Sequence, residues 1–192
     1  MNTVSLYRAD KYDEKALQAI VDRIIRDQGG YEALFAKGKK TVIKPNLVVR
    51  KKPEGAATTH PALLDAVIAC LAPYTDDITV AECPGGPNTE ALLTGIYREC
   101  GITAVCEKYG VPIQKHLEPV TVKVKDPLSA GELDLLRDFC EADVFINLAK
   151  MKTHSLTTVT GAAKNLYGAV PGLKKVEYHA RFPELDGFSG LI

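Results

Sequence analysis

Thr41-Val42-Ile43-Lys44-Pro45-Asn46 is a β-branched run that ends in a cation, a proline and an amide. Val, Ile and Thr favour extended backbone, so the run predicts a buried strand that stops near Pro45. Further on, Pro61 stands where a first helical residue would, ahead of Leu63, Leu64, Val67, Ile68 and Leu71 at helical spacing. The order is strand, long loop, helix, and it repeats. Ile78-Thr79-Val80-Ala81 is a second strand, Cys83-Pro84-Gly85-Gly86-Pro87-Asn88 a turn, and Leu92, Leu93, Ile96 and Tyr97 mark a helix that closes before Gly101. Asp143-Val144-Phe145-Ile146-Asn147-Leu148 is a later strand running into the most polar segment of the chain, with a helix carrying Lys164 and Asn165 beyond it. Strands alternating with helices predict the α/β class: a mainly parallel sheet with helices on both faces, a three-layer sandwich.

The flanking elements are read the same way. Val4 to Tyr7 has the look of a short strand, and Asp13 caps a helix whose apolar positions are Leu17, Ile20, Val21, Ile24 and Ile25, ended by Gly29-Gly30. A short helix reaches Tyr109, and Val120-Thr121-Val122-Lys123-Val124 alternates as a strand. Ser129 and Glu132 have capping-box spacing for a helix through Phe139.

With 192 residues, 46% apolar and 25% charged, the chain is excluded from the disordered and fibrous classes. Lys+Arg and Asp+Glu stand at 24 each, so no global field holds a nucleic-acid backbone. No apolar run approaches the roughly 18 residues of a membrane span, and no apolar segment follows a basic head at the start. The expectation is a single cytoplasmic α/β domain over residues 1–192, without nucleic-acid or membrane partners. Cys70, Cys83, Cys100, Cys106 and Cys140 include no C-x-x-C pair, which fits neither a disulfide framework nor a zinc knuckle, and no metal ligand is assigned.

In a parallel α/β sheet, ligands bind beyond the carboxyl ends of the strands, where strand-to-helix loops and helix amino termini gather. On that edge the sequence places Lys44 and Asn46, then Thr59 and His60, then Glu82, Gly85 and Gly86. Asn147, Lys150, Lys152, Thr153, His154, Thr160, Lys164 and Asn165 follow the later strand. Two ammonium groups about 6 Å apart repel by roughly 3 kcal/mol at an effective dielectric near 20. Four lysines, Lys44, Lys150, Lys152 and Lys164, therefore call for an answering anion beyond the single charge of Glu82. The expected ligand is a small carboxylate or phosphate held by lysines, threonine hydroxyls and a helix amino terminus. Lysines crowded among like charges lose proton affinity, which suits Lys150, Lys152 or Lys164 to proton transfer, and His60 or His154 titrates near neutrality; Lys152, His154 and His60 are taken as the catalytic set.

Plainer roles compete for several of these residues. Thr59 or His60 is placed to cap the helix that Pro61 begins, and Gly161 and Gly168 fit close helix packing. His116 reads as a surface residue. His179 and Arg181, after the Pro171-Gly172 turn, either fold back onto an anion or stay solvated. Gly38-Lys39-Lys40-Thr41 precedes a strand instead of opening a helix, which rules out a phosphate-binding P-loop, and there is no G-x-G-x-x-G or G-x-S-x-G. Cys83 sits just past a strand, where a helix dipole would lower its pKa and Glu82 would raise it.

Ile43-Lys44-Pro45-Asn46-Leu47-Val48, Thr58-Thr59-His60-Pro61, Ala81-Glu82-Cys83-Pro84-Gly85-Gly86, Asn147 to His154 and Thr160 to Gly168 together resemble the domain-of-unknown-function family 362, from about residue 40 to the end. The resemblance implies a prokaryotic protein often joined to a ferredoxin-type iron–sulfur segment. Family members usually continue past the last block, so the chain is expected to be an amino-terminal part. No cofactor is evident in this chain: no cysteine follows Cys140, and any cluster is expected in a missing or partner segment. A remoter likeness to nickel-pincer lactate racemases is a fold-level analogy and assigns no nickel. Two functions remain open: an oxidoreductase-type enzyme acting on a small anion with electrons from an iron–sulfur partner, or a module that binds or carries the anion unchanged.

Overall fold

A computed structural model describes residues 4–86, 89–114, 118–125, 131–154 and 157–190. In chain order, α1 (Glu14–Asp27) and α2 (Tyr31–Leu34) precede β1 (Thr41–Pro45), followed by α3 (Pro61–Leu71), β2 (Ile78–Val80), α4 (Glu90–Glu99) and α5 (Ile102–Tyr109). Then come β3 (Pro119–Lys123), β4 (Glu132–Leu136), α6 (Arg137–Cys140), β5 (Val144–Leu148), β6 (Lys152–His154) and β7 (Thr158–Thr160). The series ends with α7 (Ala162–Leu166), a 3₁₀ turn (Tyr167–Ala169), α8 (Lys174–Arg181) and α9 (Leu185–Ser189).

The central sheet is parallel, in the order β2-β1-β5, with helices around it: the α/β class. Register aligns Thr41 with both Ile78 and Val144, so the three strands start together; β2 ends opposite Ile43, and β1 and β5 run on together to Pro45 and Leu148. β1 is buried along its whole length, as expected of a central parallel strand covered on both faces. Asp13 accepts from the Ala16 N–H at 2.9 Å and starts α1, whose buried Leu17, Val21 and Ile25 form an i, i+4 stripe on the side that packs against α3. Apolar side chains collect in two clusters, the larger around the central sheet and a smaller one of Leu133, Tyr167, Val170, Tyr178 and Phe188.

Two expectations are corrected, and one segment left without an assignment gains a structure. Val4 to Tyr7 is not a strand: Val4 and Leu6 point into solvent, while the Ser5 and Tyr7 hydroxyls donate to Asp27 at 2.8 and 2.5 Å. The alternation is real, but its polar side faces the protein. The helix expected through Phe139 is instead strand β4, antiparallel to β3, followed by the short α6. Leu133 and Leu136 are buried, and tertiary pairing overrides the capping-box spacing; Ser129 itself lies outside the described residues, as does His116. The polar segment after β5 forms the hairpin β6-β7, with Lys152 opposite Thr160 and His154 opposite Thr158.

Candidate functional site

The parallel register dictates the first contacts of the site. Lys44 sits beside Asn147 at the carboxyl ends of β1 and β5, and Glu82 follows β2 on the other side. Lys44 is fully buried, and burying an ammonium is tolerable only with a counter-charge and hydrogen bonds. The Lys44 ammonium pairs with the Glu82 carboxylate and also donates to Asn165 Oδ1 at 3.1 Å and to the Pro45 carbonyl at 3.3 Å. Burial pushes its pKa down, with Glu82 pulling the other way.

A chain of amides extends this pair. Asn46 Nδ2 donates to Asn165 Oδ1 at 2.7 Å, Asn165 Nδ2 donates to Asn147 Oδ1 at 2.7 Å, and Asn147 Nδ2 donates to the Ala162 carbonyl at 2.9 Å. Lys152 donates to Asn46 Oδ1 and to the Ala57 carbonyl, each at 2.5 Å. Thr59 holds the floor from behind: its Oγ1 accepts from the Asn46 N–H and donates to the Leu148 carbonyl, tying β1 to β5.

Above this floor lies a cavity of about 350 Å³. Lys152, His154, Thr160, Lys164 and Asn165 enter it from the hairpin and α7, Glu82, Cys83 and Gly85 from the turn after β2, and Lys175 and His179 from α8. A larger hollow of about 590 Å³ between α4 and α5 carries only Glu90 and Glu107 as charged groups and shows no comparable gathering. Lys164 lies over the rings of Tyr167 and Phe188, 4.6 and 5.2 Å from their centroids. Burial, then the charges of Lys175, Lys44 and Lys152, push its pKa down to about 8. Burial and the neighbouring Lys164, His179 and Lys152 likewise lower the pKa of His154, which is neutral at pH 7. Lys175 donates to the carbonyls of Cys83 and Val170 at 2.5 and 2.6 Å. The buried Thr160 hydroxyl has no hydrogen-bond partner among the described residues.

Of the residues singled out in the sequence, Asn46, Glu82, Gly85, Lys152, Thr153, His154, Thr160, Lys164 and Asn165 line the cavity, and Lys44, Thr59 and Asn147 build its floor. Gly86 supplies the turn, at φ +103°, a backbone conformation that favours glycine. His60 and Lys150 are placed elsewhere. His60 Nδ1 caps α3 by accepting from the Ala62 N–H at 3.2 Å, and its ring stacks on Tyr12 at 3.6 Å. Lys150 donates to the Tyr12 hydroxyl at 3.2 Å. Lys175 was missed, because its Pro171-Gly172-Leu173-Lys174-Lys175 setting reads as a solvated helix start; the only signal was the turn that folds α8 back over Cys83. There the Gly172 N–H donates to Cys83 Sγ at 3.4 Å.

Among the described residues, which include all five cysteines, no three His, Cys, Asp or Glu side chains converge to hold a metal ion. No helix among the described residues is long and apolar enough to cross a membrane.

Fold and site together define an α/β protein whose parallel strands run into a lysine-rich cavity. The family described as Domain of unknown function (DUF362) matches residues 41–192, and the chain belongs to it. It is also similar to a thylakoid-associated protein of Synechocystis sp., 27% identical over 179 residues, which is 93% of this chain and 54% of that protein. The chain thus spans about half the length of that curated relative. No solved structure matches it.

Proposed function

We propose that the cavity binds a small organic or inorganic anion, a carboxylate or phosphate, and that Lys164 and His154 handle a proton on it. The observation that carries this reading is the imbalance of charge: Lys44, Lys152, Lys164 and Lys175 surround one carboxylate, Glu82. An anion relieves their mutual repulsion and gives the buried Thr160 hydroxyl a partner. Lys164, with a pKa of about 8, is poised for proton transfer close to physiological pH, and His154, whose proton affinity burial lowers, stands beside it as the candidate base. Lys152 is committed to Asn46 and Ala57, so in this reading it positions and attracts the anion. The oxidoreductase expectation is kept as a proposal: an iron–sulfur partner, implied by the family resemblance, would supply electrons from outside these residues, and no step here runs through it. The proposed location is the cytoplasm.

The test is calorimetric titration of the protein with inorganic phosphate, pyruvate and glycolate, in wild type and in Lys164→Gln. Binding of at least one of these anions, weakened about tenfold or more by the substitution, is the expected result. No heat with any of them overturns the reading. Loss of turnover with retained affinity in His154→Gln would distinguish an enzyme from a carrier.

A further inference from the structure

Of the four lysines at the cavity, three are held by oxygen atoms of the protein. Lys44 pairs with Glu82 and donates to Asn165 and Pro45, Lys152 donates to Asn46 and Ala57, and Lys175 donates to the carbonyls of Cys83 and Val170. Lys164 differs from all three. Its Nζ has no hydrogen-bond or ion-pair partner among the described residues and rests instead over the rings of Tyr167 and Phe188, both members of the smaller apolar cluster. Aromatic faces favour the ammonium but give its hydrogens no acceptor, and burial among Lys175, Lys44 and Lys152 favours the neutral amine. With a pKa of about 8, about a tenth of the molecules carry that amine at pH 7.

A neutral amine in a partly apolar cavity is a nucleophile, and the electrophile that suits it is a carbonyl carbon. The rest of the cavity suits a carboxylate close to that carbon. Lys152 and Lys175 each spend two N–H groups on the protein and keep a third for an anion. Lys175 is also the charge that acts most strongly on Lys164, so cation and nucleophile lie near one another. Thr160, on the same wall, has a buried hydroxyl without a partner among the described residues, a donor for the carbonyl oxygen. Resting on the anion-site reading above, we propose that the ligand is a small oxo carboxylate and that Lys164 Nζ forms a Schiff base with its carbonyl carbon. Lys164 first gives its extra proton to solvent. The nitrogen lone pair then makes the C–N bond, and the carbonyl oxygen leaves as water with the two amine hydrogens, so that C=N remains and nothing is oxidised or reduced.

The experiment traps that bond. The protein is incubated with pyruvate or acetoacetate at about pH 7.5, where part of Lys164 is neutral amine, and sodium borohydride reduces any C=N to a stable amine. Intact-mass measurement is expected to show one adduct per chain, a gain of the oxo acid less one oxygen atom, and peptide mapping to place it on Lys164. The better of the two probes sets the spacing of carbonyl and carboxylate. Lactate, a carboxylate without the carbonyl, is expected to leave no adduct, and acetone, a carbonyl without the charge, to label at least about tenfold less. Lys164→Gln is expected to abolish the adduct, and the wild-type peptide map keeps the proposal testable if that variant does not fold. Label spread over exposed lysines, label unchanged in Lys164→Gln, or acetone labelling as well as both oxo acids overturns this inference. Calorimetric binding of either oxo acid without an adduct also overturns it and leaves the anion site standing. Neither heat nor adduct with the oxo acids overturns it too, and the absence of heat with phosphate and glycolate as well removes the anion site itself.

Discussion

Asn46 and Asn165, 119 residues apart in sequence, share a 2.7 Å hydrogen bond that ties the end of β1 to α7. The same Asn165 oxygen accepts from Lys44, and the same side chain donates to Asn147. Asn165→Ala therefore takes one hydrogen-bond partner each from the Lys44 ammonium, the Asn46 amide and the Asn147 oxygen. Its expected cost is about 2–4 kcal/mol, read as a lowered urea midpoint at unchanged slope. A loss below about 0.5 kcal/mol would mean that water replaces the amide without penalty.

Glu82→Gln should be more damaging than a surface substitution of the same kind. It leaves the fully buried Lys44 ammonium without its counter-charge, at an expected cost of about 3–5 kcal/mol. Combining it with Lys44→Met should recover much of that loss, because the orphaned charge goes too. Denaturation of both single variants and of the double variant closes the cycle, and strict additivity would contradict a direct pair.

The lowered pKa of Lys164 gives a signed pH dependence. Folding moves it from 10.5 down to about 8, so between these values the unfolded chain holds more protons than the folded one. Stability contributed by this group therefore rises with pH from about 8 to about 10.5 and is flat below that window. Anion affinity runs the other way: it falls as pH climbs through about 8, where the ammonium discharges. Near that pH, binding should take up protons, visible as a dependence of the calorimetric heat on the buffer's ionisation enthalpy. Buffer-independent heats would remove Lys164 from the site.

His60 separates helix capping from chemistry. It caps α3 and stacks on Tyr12, and it does not line the cavity. His60→Ala should cost about 1 kcal/mol of stability and change anion affinity by less than about twofold. His60→Asp should restore the cap. A large loss of affinity in a folded His60→Ala protein would return this histidine to the functional set.

The central sheet was legible because each of its strands is a β-branched or apolar run with a turn signal behind it, and parallel pairing then leaves little choice about where Lys44, Glu82 and Asn147 meet. β4 was illegible for a physical reason. Glu132-Leu133-Asp134-Leu135-Leu136 satisfies a helical or an extended pattern equally, and only the packing of Leu133 against the cluster around Tyr178 decides between them. His60 stayed open between two tasks in the sequence because capping and proton transfer call for the same side chain at the same loop position; the structure adds the Ala62 contact of the cap. Lys175 escaped notice because nothing local marks its ammonium as inward-facing. The carbonyls that receive it belong to Cys83, far away in sequence, and to Val170.

Gly168 packs where any side chain would strike the Lys44 ammonium, with Glu82 Oε1 only 3.0 Å from the position of an added methyl. The lid on that ion pair is thus made of bare backbone, and it leaves the ribosome well after β1 and β2. Lys44 must wait for 121 further residues before Asn165 can reach it. A nascent chain holding only β1 and β2 carries an ammonium and a carboxylate still open to water, so the hydrophobic layers can begin to assemble before the polar floor is sealed. The floor of the proposed anion site is then completed in one step, when the segment bearing Asn165 and Gly168 docks.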